Sequence, residues 1–210
     1  MVKSYRYIFV VCLVSFCAAV FSPMQAQPRL NKPEFYIGAH GGVTASTVLF
    51  QPTQTGMSPI TNACVLGGNG GFVFRYAGHK YCHFQMELNY EHRGWKQSGT
   101  AYNLHYIELP ILMNINFGSP ICRWFLNFGP QIGYCVKDES RTITHPFDWG
   151  LAAGTGFYVD TKAGLYQLEI RYDFSFGGVY GTTVTDNYTM ASPMDLSINL
   201  AYMWHFKKKN

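Results

Sequence analysis

The chain has 210 residues, of which 48% are hydrophobic, 17% aromatic and only 13% charged. Soluble domains carry roughly 25% charged residues, so this composition disfavours a soluble surface, and the length fits one domain. The formal net charge of +4 is modest and several basic residues lie at the chain ends, so we predict no nucleic-acid partner.

The N-terminus has the parts of an export signal. Lys3 and Arg6 form a basic region, residues 7–21 (YIFVVCLVSFCAAVF) are apolar, and Ala26 is a small residue before a predicted cut at Gln27. The apolar run is short for a spanning helix, which needs about 20 residues. We predict a signal peptide over 1–26 and a short lead over 27–33.

The exported part keeps Cys64, Cys82, Cys122 and Cys135. Four cysteines allow three pairings, and the sequence does not choose among them. No cysteine lies in a CxxC motif or has zinc-site spacing, so we predict no metal and no cofactor. Free thiols, buried or facing lipid, are the favoured interpretation.

Eight segments alternate between apolar and polar residues, which is typical of β-strands, and none after residue 26 has a sustained helical period. In 167–176 (QLEIRYDFSF), Leu168 and Ile170 share one parity while Glu169 and Arg171 share the other. The predicted strands are 34–46, 65–76, 81–95, 103–117, 122–136, 148–159, 164–177 and 194–206. A basic tail follows at 207–210.

The connections alternate in predicted length. Short turns at 77–80, 118–121 and 160–163 contain Gly, Pro or Asp. The longer links are 47–64, 96–102, 137–147 and 178–193. Antiparallel strands then place every short turn and both termini at one end, as in outer-membrane barrels with short periplasmic turns and longer external loops.

The orientation of the apolar face separates a membrane barrel from a soluble barrel of the lipocalin kind. The interior of an eight-stranded barrel is just wide enough for side chains to fill it, and the large apolar parity has too much volume for it. The polar parity carries small residues such as Gly38, Gly42, Gly129 and Gly154. We therefore predict an all-β, eight-stranded antiparallel up-and-down transmembrane β-barrel over 34–206, with its apolar face outward.

This orientation gathers charged residues in the lumen. Arginine presents a planar fork of donors that can serve two carboxylates, so it suits a narrow polar interior. We predict an Arg–carboxylate network that plugs the barrel. Its members are Glu87, Glu91, Arg93, Glu108, Glu169, Arg171 and Asp173.

Aromatic residues lie near the predicted strand ends, where membrane barrels carry interfacial girdles. The predicted girdle consists of Phe35, Tyr76, Trp95, Phe117, Trp124, Trp149 and Trp204. The histidines are scattered and form no HExxH motif, and no Ser/His/acid set has supporting spacing. We predict no catalytic residues and no enzyme activity. A barrel enzyme or narrow channel is the third alternative.

Five blocks in chain order carry a family resemblance: FQMELNYEHRGW (84–95), LHYIELPILMNINFG (104–118), FLNFGPQIGYCV (125–136), DWGLAAGTGFYV (148–159) and LEIRYDFSFGGV (168–179). Together they resemble the PorT-like outer-membrane β-barrel family of the Bacteroidota. The tail HFKKKN departs from the terminal aromatic that is usual in outer-membrane barrels.

The resemblance implies a bacterial outer-membrane location and leaves the role open. We expect a small barrel with a structural role or one that acts through its loops, contacting outer-membrane lipid and a protein partner through 47–64 and 178–193. Because the family's namesake is an accessory of type IX secretion, the alternative is an accessory or assembly component of such a secretion system.

Overall fold

The computed structural model describes residues 29–52, 62–97, 99–118, 121–139, 145–176 and 188–206. The predicted signal peptide and basic tail lie outside these ranges. Eight strands follow one another in chain order. They are β1 (Arg29–Pro52), β2 (Ala63–His79), β3 (Cys82–Gln97), β4 (Thr100–Gly118), β5 (Cys122–Asp138), β6 (Phe147–Asp160), β7 (Leu165–Ser175) and β8 (Tyr188–Phe206).

Each strand pairs antiparallel with the next, and β1 pairs with β8 to close the barrel. The closing ladder runs from Phe35 opposite Phe206 to Pro52 opposite Tyr188. The predicted eight-stranded up-and-down barrel is therefore confirmed. Closure leaves no unpaired sheet edge. Among the described residues, no helix is long and apolar enough to cross a membrane.

β1 extends beyond its predicted bounds at both ends, and β8 extends beyond its predicted start at the loop end. β1 begins at Arg29, inside the predicted lead, and has 24 residues, whereas β7 has 11. Residues 47–52 and 188–193, predicted as parts of long loops, belong to β1 and β8. The barrel wall is therefore taller on the side of the closing ladder than at β7.

One predicted long link is wrong. β3 continues to Gln97 and β4 begins at Thr100, with Lys96 paired with Ala101 and Gln97 paired with Thr100. Gly99 has a φ of 86°, a left-handed conformation that glycine adopts at little cost. Only residues 98 and 99 connect β3 to β4. The polar sequence of 96–102 suggested a longer link.

The predicted orientation of the two faces is confirmed. In β7, Leu165, Gln167, Glu169, Arg171 and Asp173 are buried, while the residues between them are exposed or half-buried. Large apolar side chains cover the outside of every strand, whereas 24 polar or charged residues are buried. The interior of the barrel is therefore polar and the exterior is apolar.

Candidate functional site

The lumen is closed at the short-turn end by an apolar floor. Its members are Tyr36, Val73, Ala77, Phe125, Tyr158, Leu165 and Met203. Each occupies the inward parity of its strand near the short turns or the chain ends. The floor was not predicted from the sequence, although the parity rule places every one of these residues inside.

Arg75 lies on top of the floor. Its guanidinium carbon is 5.3 Å from the centroid of the Tyr158 ring and 5.9 Å from that of Phe125. Its Nε donates a hydrogen bond to Gln85 Oε1 at 2.9 Å, and its Nη2 donates to the side-chain oxygens of Gln85 and Gln167. Aromatic faces and amide oxygens therefore surround this buried cation.

The next layer is the lower clamp, formed by Arg171, Glu87 and Glu169. Arg171 Nη1 and Nη2 donate to the two oxygens of Glu87, each at 2.7 Å, and Nε donates to Glu169 Oε1 at 2.7 Å. Strands β3 and β7 are opposite in the ring of eight, so the bidentate pair crosses the lumen. This geometry gives the strongest form of an arginine–carboxylate contact.

Amide side chains complete the lower clamp. Asn127 Nδ2 and Gln167 Nε2 each donate to Glu169 at 2.8 Å, and Asn89 Nδ2 donates to Glu87 Oε2 at 3.0 Å. A Cβ atom at Gly154 would lie 2.6 Å from Asn127 Oδ1 and 3.1 Å from Glu169 Oε1. The glycine therefore provides the space in which these groups meet.

The upper cluster consists of Arg93, Glu91, Glu108, Asp148 and Asp195. Arg93 nitrogens lie 2.6 Å from Glu108, 2.9 Å from Asp195, 3.4 Å from Glu91 and 3.5 Å from Asp148. One oxygen each of Glu91 and Asp148, and Oδ1 of Asp195, have no hydrogen-bond partner, and the 2.9 Å ion pair between Asp195 Oδ2 and Arg93 Nε lacks hydrogen-bond geometry. One cation thus serves four carboxyl groups.

Asp173 adds a fifth carboxyl group beside the upper cluster. It is buried and lies directly opposite Asp195 in the β7–β8 register. Like charges at opposite positions of an antiparallel pair repel each other. Over the described residues, the buried lumen side chains comprise seven carboxyl groups and three guanidinium groups. The lumen is therefore richer in acid than in base.

The loop end of the lumen is closed by an apolar cap made of Trp95, Leu104 and Tyr106. Trp95 is 0% exposed and its ring stacks on Tyr102 with centroids 5.0 Å apart. The cap, together with Arg93 and Asp195, lines a cavity of about 10 Å³, room for about one water molecule. The prediction of Trp95 in the lipid-facing girdle is wrong. Trp95 shares the inward parity of Arg93, which outweighs its position near a strand end.

The structure brings all seven predicted network residues into the lumen, and it splits them between two layers. Glu87, Glu169 and Arg171 belong to the lower clamp. Glu91, Arg93 and Glu108 belong to the upper cluster, and Asp173 lies beside it. Sequence reasoning left Asp148 and Asp195 out of the network. The alternation would have found both, since each has an outward apolar neighbour, Trp149 and Leu196 respectively.

Comparison with known proteins decides the family. Residues 25–181 match the family described as "Outer membrane protein beta-barrel domain". The chain belongs to this family. No curated protein sequence is similar enough to count as a match.

Solved outer-membrane barrels share the fold of this family member. OprG from Pseudomonas aeruginosa is 12% identical, with a TM-score of 0.53 over 81% of this chain and 96% of OprG. Neisserial surface protein A is also 12% identical, with a TM-score of 0.50 over 80% of this chain and 96% of that protein. The E. coli outer membrane protein W is 12% identical, with a TM-score of 0.44 over 83% of this chain and 100% of that protein. The family and the fold place the protein in the bacterial outer membrane.

The predicted girdle residues other than Trp95 face outward. Phe35, Tyr76, Phe117, Trp124 and Trp204 are exposed near the short-turn end, and Trp149 is exposed near the loop end. The rings of Phe35 and Tyr76 lie 5.1 Å apart on neighbouring strands. Among the predicted thiols, Cys64, Cys82 and Cys135 are free cysteines, with Cys64 exposed and Cys135 buried.

Outside the lumen, a small cluster of polar side chains lies on the outer wall near the loop end. Glu139 accepts hydrogen bonds from Lys137 Nζ at 2.9 Å and Asn103 Nδ2 at 3.3 Å. The hydrogen bond from Lys137 is the main reason that the pKa of Glu139 is lowered to about 2. Across the described ranges, no group of three or more His, Cys, Asp or Glu side chains is arranged to hold a metal ion.

Proposed function

We propose that the protein is a non-conducting outer-membrane barrel with a structural role or one that acts through its loop end. The observation that carries this proposal is the filling of the lumen by the floor, the lower clamp, the upper cluster and the cap. A solute would have to displace buried ion pairs, and leaving a buried charge without its partner costs about 3–5 kcal/mol.

We further propose that the barrel is not an enzyme. The buried charges must pair in any sealed lumen, so their pairing is no sign of chemistry. The cap and the floor separate Glu87, Arg171 and the upper cluster from both ends of the barrel. A third interpretation, a barrel enzyme or narrow channel, would need one of these groups to be reached from outside.

Planar-bilayer recordings test the sealed lumen. The purified protein, refolded and checked by heat-modifiable migration on gels, is expected to give a baseline without steady unitary steps. A matched preparation of Trp95→Ala, which removes the largest side chain of the cap, shows whether the cap contributes to sealing. Steady porin-like conductance from the unchanged protein would overturn the proposal.

The PorT-like resemblance supports a second, finer candidate, an accessory or assembly component of a type IX-like secretion system. Its support is the order of the five motif blocks alone, and a protein partner is expected at the loop end. The two candidates differ in one phenotype. Deletion of the gene should leave the export of other proteins unchanged if the role is structural, and should abolish it if the protein is a secretion accessory.

A further inference from the structure

On the outer wall of β3, β4 and β5, the outward side chains change from apolar to basic near the loop end. Outward apolar side chains continue to Tyr90 on β3, to Ile107 on β4 and to Tyr134 and Val136 on β5. The register pairs Tyr90 with Ile107 and Ile107 with Tyr134, so these three form a row across the strands. Tyrosines at the end of an apolar span mark the membrane–water boundary.

The next outward row toward the loop end is the basic row, formed by His92, His105 and Lys137. His92 pairs with His105, and His105 pairs with Lys137. The two imidazole rings stack with centroids 4.8 Å apart and an interplanar angle of 17°. The Lys137 side chain is 62% exposed. Lys137 is exposed and His92 is half-buried, whereas His105 Nε2 is buried, so β3 and β5 present nitrogen donors above the apolar span with the His105 ring between them.

Contacts within the wall hold the basic row in place. The Tyr90 hydroxyl lies 2.9 Å from His105 Nδ1, and this contact holds the His105 ring against the row of Tyr90, Ile107 and Tyr134. Glu139 Oε1 lies 2.9 Å from Lys137 Nζ and 3.6 Å from His105 Nε2. Lys96 adds an exposed cation four residues beyond His92 on the same strand. Glu139 therefore offsets only part of the positive charge.

We propose that the basic row binds the headgroup phosphate of a lipid in the outer leaflet. A phosphate oxygen accepts charge-assisted hydrogen bonds from lysine and protonated histidine. Tyr90 and Tyr134, just below, face the part of the lipid where acyl chains begin. The matching stretch of β1 is uncharged, with Val43, Ala45, Thr47 and Leu49 on its outer face, so the site is on one side of the barrel.

Native mass spectrometry on the refolded full chain tests this proposal. The probe is lipid A, a phosphorylated glycolipid, mixed into phosphatidylcholine vesicles before extraction. The variant His92→Gln/His105→Gln/Lys137→Gln is expected to retain less lipid A, by about fivefold for each basic group that carries charge. The control Lys162→Gln removes one cation at the short-turn end and should retain lipid A as the unchanged protein does.

Three results would overturn the proposal. They are equal retention of lipid A by the triple variant, equal retention of dephosphorylated lipid A by the unchanged protein, and full displacement of lipid A by millimolar inorganic phosphate. The last result would indicate a site for a free anion. Heat-modifiable migration on gels shows that each variant is folded, and Lys137→Gln alone provides a milder variant if the triple variant fails to refold.

Discussion

The lower clamp and the upper cluster are two solutions to the same problem, the burial of charge inside a narrow barrel. In the lower clamp, Arg171 faces two carboxylates and every one of its contacts is 2.7 Å long. In the upper cluster, Arg93 faces four carboxyl groups at 2.6–3.5 Å, and several of their oxygens lack hydrogen-bond donors. In the lower clamp the carboxylates have close hydrogen-bond donors, whereas the upper cluster contains more carboxyl groups than its single arginine can bond well.

The difference indicates that the hydrogen bonds of the lower clamp, rather than those of the upper cluster, stabilise the barrel. A bidentate pair with additional amide donors compensates for much of the desolvation of its charges. A single guanidinium cannot make good hydrogen bonds to four carboxyl groups at once, because its five N–H donors point in fixed directions within one plane whereas the four groups carry eight acceptor oxygens. The upper cluster is therefore held together by the strands that converge on it.

Loss of Arg93 should produce the largest effect. Arg93→Met leaves four buried carboxyl groups without their cation, and we expect the free energy of unfolding to fall by about 3–5 kcal/mol. Urea unfolding in lipid vesicles, followed by heat-modifiable migration on gels, measures the change. Arg123→Met, at the short-turn end, is the control for the loss of one arginine. Equal stability of the two variants would contradict the central role of Arg93.

Loss of Arg171 should destabilise the barrel by a smaller amount, about 3 kcal/mol, because two carboxylates are left and amide donors remain around both. The same urea titration applies. Adding Glu87→Gln to Arg171→Met should recover part of the loss, since the double variant no longer buries one of the unpaired charges. A double variant less stable than Arg171→Met would show that Glu87 contributes through contacts other than the bidentate pair.

The smallest effect, and a different sign, is expected at Asp173. Asp173→Asn removes one acid from an acid-rich layer while it keeps the shape of the side chain, so stability should change by about 0–1 kcal/mol toward greater stability. Glu87→Gln makes the same chemical change in the lower clamp and should destabilise the barrel. Unfolding midpoints of the two variants, compared side by side, test this contrast. Equal losses in both would remove the distinction between the two layers.

The sequence was sufficient for the fold because strand alternation is a local signal. Each predicted strand overlaps the observed one, and the volume of residues such as Phe174 and Tyr172 indicated the outward face. The hairpin at 98 and 99 was missed, since pairing between Lys96 and Ala101 depends on the partner strand rather than on local composition.

The lumen was predictable in composition but not in arrangement. Parity places Glu87, Arg171 and Arg93 inside, but which carboxylate meets which arginine depends on strand tilt and register around the closed ring. Trp95 shows a different limit. Its chemical type and its position near a strand end favoured the girdle, whereas the alternation of β3, the more reliable signal, placed it under the loops.

The height of the closing ladder has a consequence for chain entropy. β1 and β8 are the two strands farthest apart in sequence, and their pairing is the most extensive in the barrel, reaching from Phe35 to Pro52. Closing a loop costs about 0.6 kcal/mol for each doubling of its length, so joining these two strands costs more than forming any hairpin. The extra height of this wall supplies additional backbone hydrogen bonds where the two ends of the barrel sequence must be brought together.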